Sequence, residues 1–358
     1  MKNLLIVIGN LRIGGGQVVV QKLIENLDLS RYNTHVICCT KKANTLIEKR
    51  IEAICQVEYL NNSTGVTLSS LLYALKRISA YKPDIIHAHL GGVNYAIVWA
   101  LLHHRRIVIT AHTKPEMAFT KNIEKLLRIG IKKELVYLVA VSNQNAKLCK
   151  EYFHLNNERC FCINNGVDVG KHSRIQHEMF TFINVATQNE NKNQRMIIEC
   201  FEKLLNQKKE TKLVLVGDGP EHERLKELVK EKGIGSSVVF TGAIDDPTYY
   251  YLISDIYIQS SHRESMPMSV LEAMGFGLPI ISTNVGGLKD VVIDNGILVD
   301  DGDQEAMYEA MSNVSLMSDE DLNLMGSHSK IIASEYSAES MANRYMDVFD
   351  HIIGSDQV

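Results

Sequence analysis

The sequence predicts an α/β protein of two Rossmann-like, doubly wound parallel-sheet domains that face each other across a cleft. Its 358 residues exceed the size at which a single hydrophobic core keeps growing. Short apolar runs alternate with amphipathic segments, a pattern typical of parallel βαβ units. The series starts afresh after a polar, turn-rich join at 164–176. We therefore expect domains at 1–168 and 169–339, and a terminal helix at about 340–358 that packs back on the first domain.

The runs that we assign to strands fall into two series. The first series is LLIVI, THVICCT, DIIHAH, RIVIT, LVYLVAVS and CFCIN, and the second is FTFINVA, KLVLVGDG, VVFTG, DIYIQSS and LPIIS. From about Asp319 the sequence is predicted to be helical to its end. In open parallel sheets ligands bind outside the carboxyl ends of the strands, so the residues directly after these runs are the candidates for function.

The composition is that of an ordinary globular protein, with 45% hydrophobic and 22% charged residues. No apolar stretch approaches the roughly 18 residues of a membrane span, and the LLIVI run is too short for a signal peptide. We therefore expect a cytoplasmic location. The seven cysteines include no CxxC pair, which argues against a disulfide framework, a zinc site or redox chemistry. No metal, cofactor or nucleic-acid partner is expected.

The two halves of the chain carry opposite charge. Up to residue 173 there are 23 Lys and Arg against 12 Asp and Glu, a net +11, and beyond it 15 against 30, a net −15. A basic half can attract anionic lipid or a phosphate-bearing acceptor, although the two halves can equally attract each other. The segment KNIEKLLRIGIKKE at 121–134 is predicted to be a basic amphipathic helix. Such a helix either makes peripheral contact with an anionic membrane or packs on its own sheet.

A glycine-rich turn follows the first strand. The segment GNLRIGGGQ is predicted to open a helix at about Gln17, and Gly15 and Gly16 let backbone N–H groups approach a phosphate at the helix N-terminus. The segment is not a GxGxxG motif, and glycine-rich turns after a first strand are common. Contact with a phosphate or an acceptor and a purely structural turn therefore remain equal alternatives.

Three histidines lie near the ends of central strands. His112 follows RIVIT, where an imidazole can hydrogen-bond a sugar hydroxyl or can be a satisfied interior or capping residue. His87 and His89, within DIIHAH, are interpreted as structural. They form an HxH pair, but no carboxylate or cysteine is placed to complete a metal site.

The second domain contains a lysine and two glutamates in or next to predicted helices, where each could bind a ligand. Lys192 lies in a polar turn just before a helix, where an ammonium can neutralise a diphosphate or can simply be solvated. The run HRESMPMSVLEAM places Glu264 in a loop and Glu272 within the helix that follows. Two carboxylates so arranged can contact different parts of one elongated ligand. The backbone of Ser265 and Met266 offers N–H groups to a phosphate.

With these motifs the sequence resembles the retaining GT-B glycosyltransferases of family 4, which include bacterial capsule and lipopolysaccharide glycosyltransferases. The resemblance rests on GGGQ at 14–17, INNGVD at 163–168, KNQ at 192–194, LVLVGDGP at 213–220, and ES followed by VLEAM and GLPII. It implies transfer of a sugar from a UDP- or GDP-sugar, held mainly by the second domain, to a glycan or lipid-linked acceptor held mainly by the first, in surface polysaccharide biosynthesis. The departing phosphate helps to remove the acceptor proton, so no protein nucleophile is implied.

The resemblance also implies a role for each matched residue. Glu264, Lys192 and His112 are the expected catalytic residues: Glu264 and His112 contact the donor sugar, and Lys192 binds the diphosphate. Glu272 matches the glutamate that binds the ribose hydroxyls. The other implied contacts are with the diphosphate for Gly15 and Gly16, with the base for Ile244, and with the sugar and phosphates for Ser265, Met266, Pro267 and Met268.

One position departs from the family pattern. The family usually has an arginine five residues before the lysine, and here that residue is Thr187, so that Arg195 or Arg263 would have to replace the missing cation. The departure leaves two other readings open. One is a non-catalytic GT-B partner subunit that has lost part of its phosphate-binding site, and the other is a sugar-nucleotide epimerase on the same architecture.

Overall fold

The computed structural model describes residues 1–62, 65–170, 174–207 and 210–354, so that residues 171–173 of the predicted join lie outside the described part. The chain divides into two compact units. The first comprises Met1–Gly166 together with the residues from Ala338 onward, and the second comprises Val167–Ser337.

The first unit is built on a seven-stranded parallel sheet. Its strands are β1 (Lys2–Ile8), β2 (Tyr32–Cys38), β3 (Gln56–Tyr59), β4 (Ile85–His89), β5 (Ile107–Ala111), β6 (Val136–Ala140) and β7 (Cys160–Cys162). They lie in the order β3-β2-β1-β4-β5-β6-β7. The central strands are buried along their whole length, as expected for a parallel sheet covered on both faces.

In the described part of the first unit, seven α-helices connect these strands. They are α1 (Gly15–Glu25), α2 (Leu46–Glu52), α3 (Leu68–Ala80), α4 (Val93–His103), α5 (Pro115–Ala118), α6 (Lys121–Lys132) and α7 (Asn143–Phe153). The turn from β4 into α4 passes very close to β1, because a Cβ atom at Gly92 would lie only 2.2 Å from the carbonyl oxygen of Val7. Glycine is therefore required there by the close approach of the two backbones.

The second unit is built on a six-stranded parallel sheet. Its strands are β8 (Phe180–Val185), β9 (Thr211–Val216), β10 (Val238–Gly242), β11 (Ile256–Gln259), β12 (Ile280–Thr283) and β13 (Gly296–Val299), in the order β10-β9-β8-β11-β12-β13. Its helices are α8 (Gln194–Leu205), α9 (His222–Glu231), α10 (Thr248–Leu252), α11 (Met268–Gly275), α12 (Gln304–Ser315) and α13 (Asp319–Glu335).

The last helix, α14 (Ala338–Gly354), belongs to the first unit although it follows the second in the chain. Lys2 Nζ lies 2.7 Å from a carboxylate oxygen of Asp350 on this helix. The Tyr32 hydroxyl donates to the Asp350 carboxylate and lies 3.2 Å from the carbonyl oxygen of Met346. α14 therefore covers the part of the first sheet that contains β1 and β2.

The two parallel sheets confirm the predicted α/β class, and two details differ from the prediction. The predicted strands do not include β3 and β13, which are edge strands of four residues each whose side chains are mostly half-buried or exposed. β3, with the sequence QVEY, has no continuous apolar run, and the run ILV of β13 is only three residues long. The helix α1 begins at Gly15 rather than at about Gln17, so Gly15 and Gly16 form its first turn.

No helix among the described residues is both long enough and apolar enough to cross a membrane.

Candidate functional site

Both sheets have the topology that creates a ligand site. In each, the first strand of the unit lies beside the fourth, β1 beside β4 and β8 beside β11, and the strand order reverses at that point. Loops on either side of such a switch point diverge and leave a crevice at the carboxyl ends of the strands. The topology therefore provides two candidate ligand sites, one in each unit.

At the switch point of the second unit, Lys192 and Glu264 form an ion pair. Lys192 Nζ lies 2.5 Å from Glu264 Oε1, and the side chains are only 21% and 11% exposed. Partial burial strengthens the attraction between the two charges relative to an exposed surface pair. The structure thus brings together two residues that are 72 positions apart in the sequence.

The turn that carries Lys192 is held against the end of β11. The Ser260 hydroxyl, which is fully buried, lies 3.0 Å from the carbonyl oxygen of Lys192 and 2.7 Å from that of Asn193. The backbone N–H of His262 donates to the carbonyl of Asn191 over 2.8 Å. Asn193 has a left-handed backbone, with φ of 47°, and this reverses the chain just before α8 begins. The position of the ammonium is therefore fixed by backbone contacts as well as by its ion pair.

A second backbone approach holds the loop that carries Glu264. Gly286 has a φ of 65°, and a Cβ atom there would lie 2.3 Å from the carbonyl oxygen of Glu264. Next to it, the Gly287 N–H donates to the carbonyl of Ser265 over 2.8 Å. Only glycine allows the loop after β12 to lie this close to the Glu264 backbone.

Glu272 lies on α11, where a buried tyrosine contacts it. The Tyr251 hydroxyl donates to Glu272 Oε2 over 3.0 Å, and the Tyr251 side chain is 1% exposed. Burial and the neighbouring Glu272 carboxylate raise the pKa of Tyr251 well above its usual value, so the phenol stays protonated and remains a donor. Tyr251 is not among the residues predicted from the sequence, because nothing in the run TYYYL distinguishes one tyrosine from the next.

The other predicted residues of the second unit lie in two places. Met266, Pro267 and Met268 are buried and lead directly into α11, whose N-terminus has no side-chain cap, and Ser265 is half-buried beside them. Ile244 is half-buried and follows β10, which is separated from β8 by β9. The loop residues therefore lie next to the ion pair in the sequence, whereas Ile244 follows the edge strand of the same sheet.

Thr187, at the position where the family pattern has an arginine, follows β8 and is exposed. Of the two candidate replacements, Arg195 lies on α8 and is paired with Glu199, with 3.4 Å between Arg195 Nε and Glu199 Oε1. Arg263 lies in the loop next to Glu264, and its Nε lies 3.4 Å from the side-chain oxygen of Asn191. Arg263 is thus tied to the same turn that carries Lys192.

At the switch point of the first unit, the structure brings together the glycine-rich turn and His112. Gly15 and Gly16 form the first turn of α1, and Gly14, which precedes them, provides no side-chain cap. A Cβ atom at Gly16 would lie 3.6 Å from His112 Cε1 and 3.2 Å from a methyl group of Leu90. The uncapped amides of α1 and the half-buried imidazole of His112 are therefore neighbours.

The structure changes the interpretation of His87 and His89. Both are fully buried, as expected of structural residues, but they also form a hydrogen-bonded chain to His112. His87 Nδ1 lies 3.2 Å from His89 Nε2, and His89 Nδ1 lies 3.0 Å from His112 Nε2. At the inner end, His87 Nε2 lies 2.8 Å from the Thr110 hydroxyl, which lies 3.0 Å from the hydroxyl of Tyr345 on α14.

The imidazoles of His87, His89 and His112 are neutral at physiological pH. Burial, together with the nearby His112, lowers the pKa of His87 to about 3, and burial lowers the pKa of His112 to about 4. Burial and the two neighbouring imidazoles hold the pKa of His89 well below its usual value. A charged imidazole would lose its hydration without gaining an acidic partner.

In the described ranges of the chain, no group of three or more His, Cys, Asp or Glu side chains is arranged to hold a metal ion. The seven cysteines are free thiols, five of them buried. The groups that could bind a ligand at the two switch points are therefore cations, carboxylates, imidazole and backbone amides.

Two protein-family models match consecutive parts of the chain. The model described as Glycosyltransferase Family 4 matches residues 13–171, and the one described as Glycosyl transferases group 1 matches residues 170–329. Together they leave only the two ends of the chain unmatched.

Similar proteins are found among curated sequences and solved structures. The chain is 27% identical over 295 residues to the N-acetyl-alpha-D-glucosaminyl L-malate synthase of Bacillus anthracis, over 76% of each chain. It is 24% identical over 341 residues to the UDP-Gal:alpha-D-GlcNAc-diphosphoundecaprenol alpha-1,3-galactosyltransferase of Escherichia coli, over 87% of each. The crystal structure of Anabaena Alr3699/HepE in complex with UDP-glucose shares its fold, with a TM-score of 0.81 and 18% identity over 98% of this chain and all of that one.

We expect the melting temperature of the protein to fall as the pH is lowered from 7 to about 5. The imidazoles of His87, which is fully buried, and His112, which is half-buried, have lower pKa values in the folded protein than the unfolded value of 6.5. The unfolded chain therefore takes up more protons below about pH 6.5, and the free energy of unfolding falls by on the order of 1 kcal/mol per pH unit for each buried imidazole. Calorimetric melting curves at several pH values measure this fall.

Two variants test whether the buried histidines cause the pH dependence of the melting temperature. His87→Gln should weaken the pH dependence between 7 and 5, whereas His104→Asn, at an exposed position, should leave it unchanged. A melting temperature that stays constant between pH 7 and pH 5 in the wild-type protein contradicts the neutral, buried state of these imidazoles.

Proposed function

The chain belongs to the GT-B glycosyltransferases, and we propose that it transfers a sugar, with retention of anomeric configuration, from a UDP- or GDP-sugar to a glycan or lipid-linked acceptor. The observation that carries the proposal is the ion pair between Lys192 and Glu264 at the switch point of the second unit. It combines a cation for a diphosphate with a carboxylate for sugar hydroxyls in a partly buried position. The names of relatives such as the Escherichia coli galactosyltransferase support a role in surface polysaccharide biosynthesis.

The ion pair suggests an exchange of partners when the donor binds. In the structure, the Lys192 ammonium neutralises the Glu264 carboxylate. A diphosphate carries more charge than one carboxylate, so it attracts Lys192 more strongly. Glu264 is then released to accept hydrogen bonds from the donor sugar, while the uncapped N-terminus of α11 adds its amide groups to the phosphate site.

The proposed reaction needs no nucleophile from the protein. The bond between the anomeric carbon and the β-phosphate oxygen breaks, and the nucleoside diphosphate leaves with the electron pair of that bond. The acceptor hydroxyl forms the new glycosidic bond on the same face of the sugar and gives its proton to the departing phosphate. Lys192 stabilises the negative charge that develops on the phosphate, which is the part of the reaction where a fixed cation lowers the barrier most.

Glu272 is proposed to bind the two ribose hydroxyls of the donor nucleotide. Its position on α11 is rigid because the helix is buried on one side and Tyr251 donates a hydrogen bond to Glu272 Oε2. That bond occupies one carboxylate oxygen and orients the other. A preoriented carboxylate loses little side-chain entropy when it accepts hydrogen bonds from a ligand.

The remaining contacts are proposed by analogy with the family. Residues 169–339 hold the donor, with Ile244 at the base and Ser265, Met266, Pro267 and Met268 at the sugar and phosphates. Residues 1–168 hold the acceptor, and Gly15, Gly16 and His112 approach the diphosphate and the sugar of the donor. The proximity of Gly16 to His112 supports this grouping, since one ligand can contact both.

Arg263 is proposed to replace the arginine that the family has at the position of Thr187. Arg263 is exposed, precedes Glu264 and is linked to the Lys192 turn through Asn191. Arg195 is a weaker candidate, because it is already paired with Glu199 one helical turn away.

Peripheral contact with the anionic inner face of a membrane is proposed to be mainly electrostatic, with Ile129 of α6, which is 45% exposed, as the one apolar residue of the helix at the surface among those described. Three apolar residues of α6, Ile123, Leu126 and Ile131, pack on the core of the first unit, so they are not available for insertion into lipid. The exposed side of the helix carries the lysines Lys121, Lys125 and Lys132. Basic residues near an anionic surface each contribute roughly 1 kcal/mol, and salt screens this attraction.

We expect the two glutamates to affect different steps. Glu264→Gln should bind free nucleoside diphosphate at least as tightly as the wild-type protein, because Lys192 loses its competing carboxylate, yet transfer should fall roughly 100-fold. Glu272→Gln should lose about 1.5 to 3 kcal/mol of nucleotide affinity, because it removes charge-assisted hydrogen bonds to the ribose. Isothermal calorimetry with UDP and GDP, beside a transfer assay, measures both effects.

Matched variants accompany this measurement. Glu223→Gln removes a carboxylate whose side chain is 80% exposed on α9 and should change neither property. In the same assay, Arg263→Gln should lower transfer whereas Arg195→Gln should not. Unaltered affinity and unaltered transfer in both Glu264→Gln and Glu272→Gln would rule out the proposed site.

We expect transfer activity to survive EDTA. Lys192 and the helix N-termini carry out the charge neutralisation that a divalent cation performs in metal-dependent enzymes. The measurement is the rate of sugar transfer by protein dialysed against EDTA, with and without added manganese or magnesium. Activity that is lost on chelation and restored by either ion contradicts the proposed mechanism.

We expect the protein to float with anionic vesicles at low salt and to be released at high salt. Replacing both Lys125 and Lys132 by glutamine should weaken vesicle binding roughly tenfold or more. The control replaces Lys226 and Lys230, two exposed lysines of α9, and should leave binding unchanged. Protein that stays in the soluble fraction with anionic vesicles at low salt contradicts the proposed contact.

A further inference from the structure

The direction of the hydrogen bonds in the histidine chain decides what His112 can offer a ligand. Each neutral imidazole carries one N–H group, on either Nδ1 or Nε2, and accepts a hydrogen bond at the other nitrogen. Among the described residues, His112 Nδ1 is the one ring nitrogen of the three histidines that has no partner. It is a donor if the proton is on Nδ1 and an acceptor if the proton is on Nε2.

The three imidazoles must adopt the same tautomer. His89 bonds to His87 through Nε2 and to His112 through Nδ1, so a proton on either nitrogen of His89 forces the matching choice on both neighbours. Only two arrangements satisfy both bonds between the rings. In one, every proton is on Nδ1 and the chain donates outward to His112; in the other, every proton is on Nε2 and it donates inward to Thr110.

The hydroxyl groups at the inner end select between these arrangements. Among the described residues, the Tyr345 hydroxyl bonds only to the Thr110 hydroxyl, which in turn bonds only to Tyr345 and His87. Tyr345 is fully buried and Thr110 is 2% exposed. In the outward arrangement Tyr345 donates to Thr110 and Thr110 donates to His87 Nε2, so every buried donor has an acceptor.

The inward arrangement leaves one buried O–H group without an acceptor. If His87 Nε2–H donates to Thr110, either the Thr110 proton or the Tyr345 proton has no partner in the described part of the chain. An unsatisfied buried donor costs enough to disfavour this arrangement by roughly tenfold or more. The protein therefore populates the outward arrangement.

We propose that Thr110 acts through His87 and His89 to hold His112 in its Nδ1–H tautomer, so that His112 offers the ligand a hydrogen-bond donor. Thr110 is a positioning residue, because it does not contact the ligand itself. A donor at this position recognises an oxygen with lone pairs, such as that of a sugar hydroxyl or a phosphate. The identity of that ligand as a donor sugar rests on the proposed function, whereas the tautomer does not.

The tautomer can be measured directly in the full-length protein without any ligand. In protein labelled with 15N-histidine, long-range proton–nitrogen correlation spectra distinguish the protonated nitrogen of each neutral ring from the unprotonated one. His112→Gln removes one set of signals and so assigns it. At pH 7.5 we expect the proton of His112 to be on Nδ1, and a majority of the Nε2–H form in the wild-type protein overturns the proposal.

Three variants test whether Thr110 is the cause. Tyr345→Phe removes the phenol hydroxyl but leaves the Thr110 proton with His87 as its only acceptor, so His112 should stay in the Nδ1–H form. Thr110→Ser keeps the hydroxyl and should do the same. The double variant Thr110→Val with Tyr345→Phe removes both hydroxyls, and a large Nε2–H population of His112 should then appear, since isolated imidazole side chains prefer that form. An unchanged His112 tautomer in the double variant overturns the proposal.

An activity measurement adds a readout that distinguishes this proposal from the proposed function. If only the donor tautomer supports transfer, the double variant should transfer sugar roughly three- to tenfold more slowly, in proportion to the lost population, while Thr110→Ser retains the wild-type rate. Absence of transfer in the wild-type protein contradicts the proposed function and leaves the spectroscopic result intact. A wild-type Nε2–H tautomer in an active enzyme contradicts only the role of Thr110.

Discussion

The ion pair between Lys192 and Glu264 links the turn after β8 to the loop after β11, and it brings together the two charged side chains of the second unit's candidate site. Opposite charges in a partly buried position attract strongly only if the side chains that bear them are held close together. Here the Ser260 hydroxyl holds the lysine turn and Gly286 lets a neighbouring loop approach the Glu264 backbone. Removing either side chain would leave the other without its ion-pair partner in a partly buried position.

The same topological constraint operates in the first unit with different chemistry. Its switch point holds neutral groups, namely an uncapped helix N-terminus and an imidazole, in place of an ion pair. The inner end of the histidine chain is closed by Tyr345 on α14, which follows the whole second unit in the chain. The last helix is therefore part of the environment of His112, and a change in α14 can act on it through hydrogen bonds.

Much of the fold could be predicted because the signals are local. Strands such as β1 and β8 are continuous apolar runs, and parallel strands covered on both faces require such runs. The helix α11 and the loop before it follow from the sequence near Glu264. The strand β3 could not be predicted in this way because its sequence QVEY contains no apolar run, and the run ILV of β13 is too short to distinguish a strand from a loop. Tyr251 and Thr110 were missed because neither belongs to a motif.

The sequence by itself determined which residues follow the strand ends, and therefore that Lys192, Glu264 and His112 are at the edge where parallel sheets bind ligands. It did not determine which of these residues contact each other. Contact depends on strand order, which places β8 beside β11 and β4 beside β5 and is set by the packing of whole layers. Only the tertiary structure therefore decided that Lys192 pairs with Glu264 and that His112 is connected to Tyr345. The protonation state of the three imidazoles depends on side chains that are distant in the sequence. No local sequence pattern encodes how close those side chains lie in the fold.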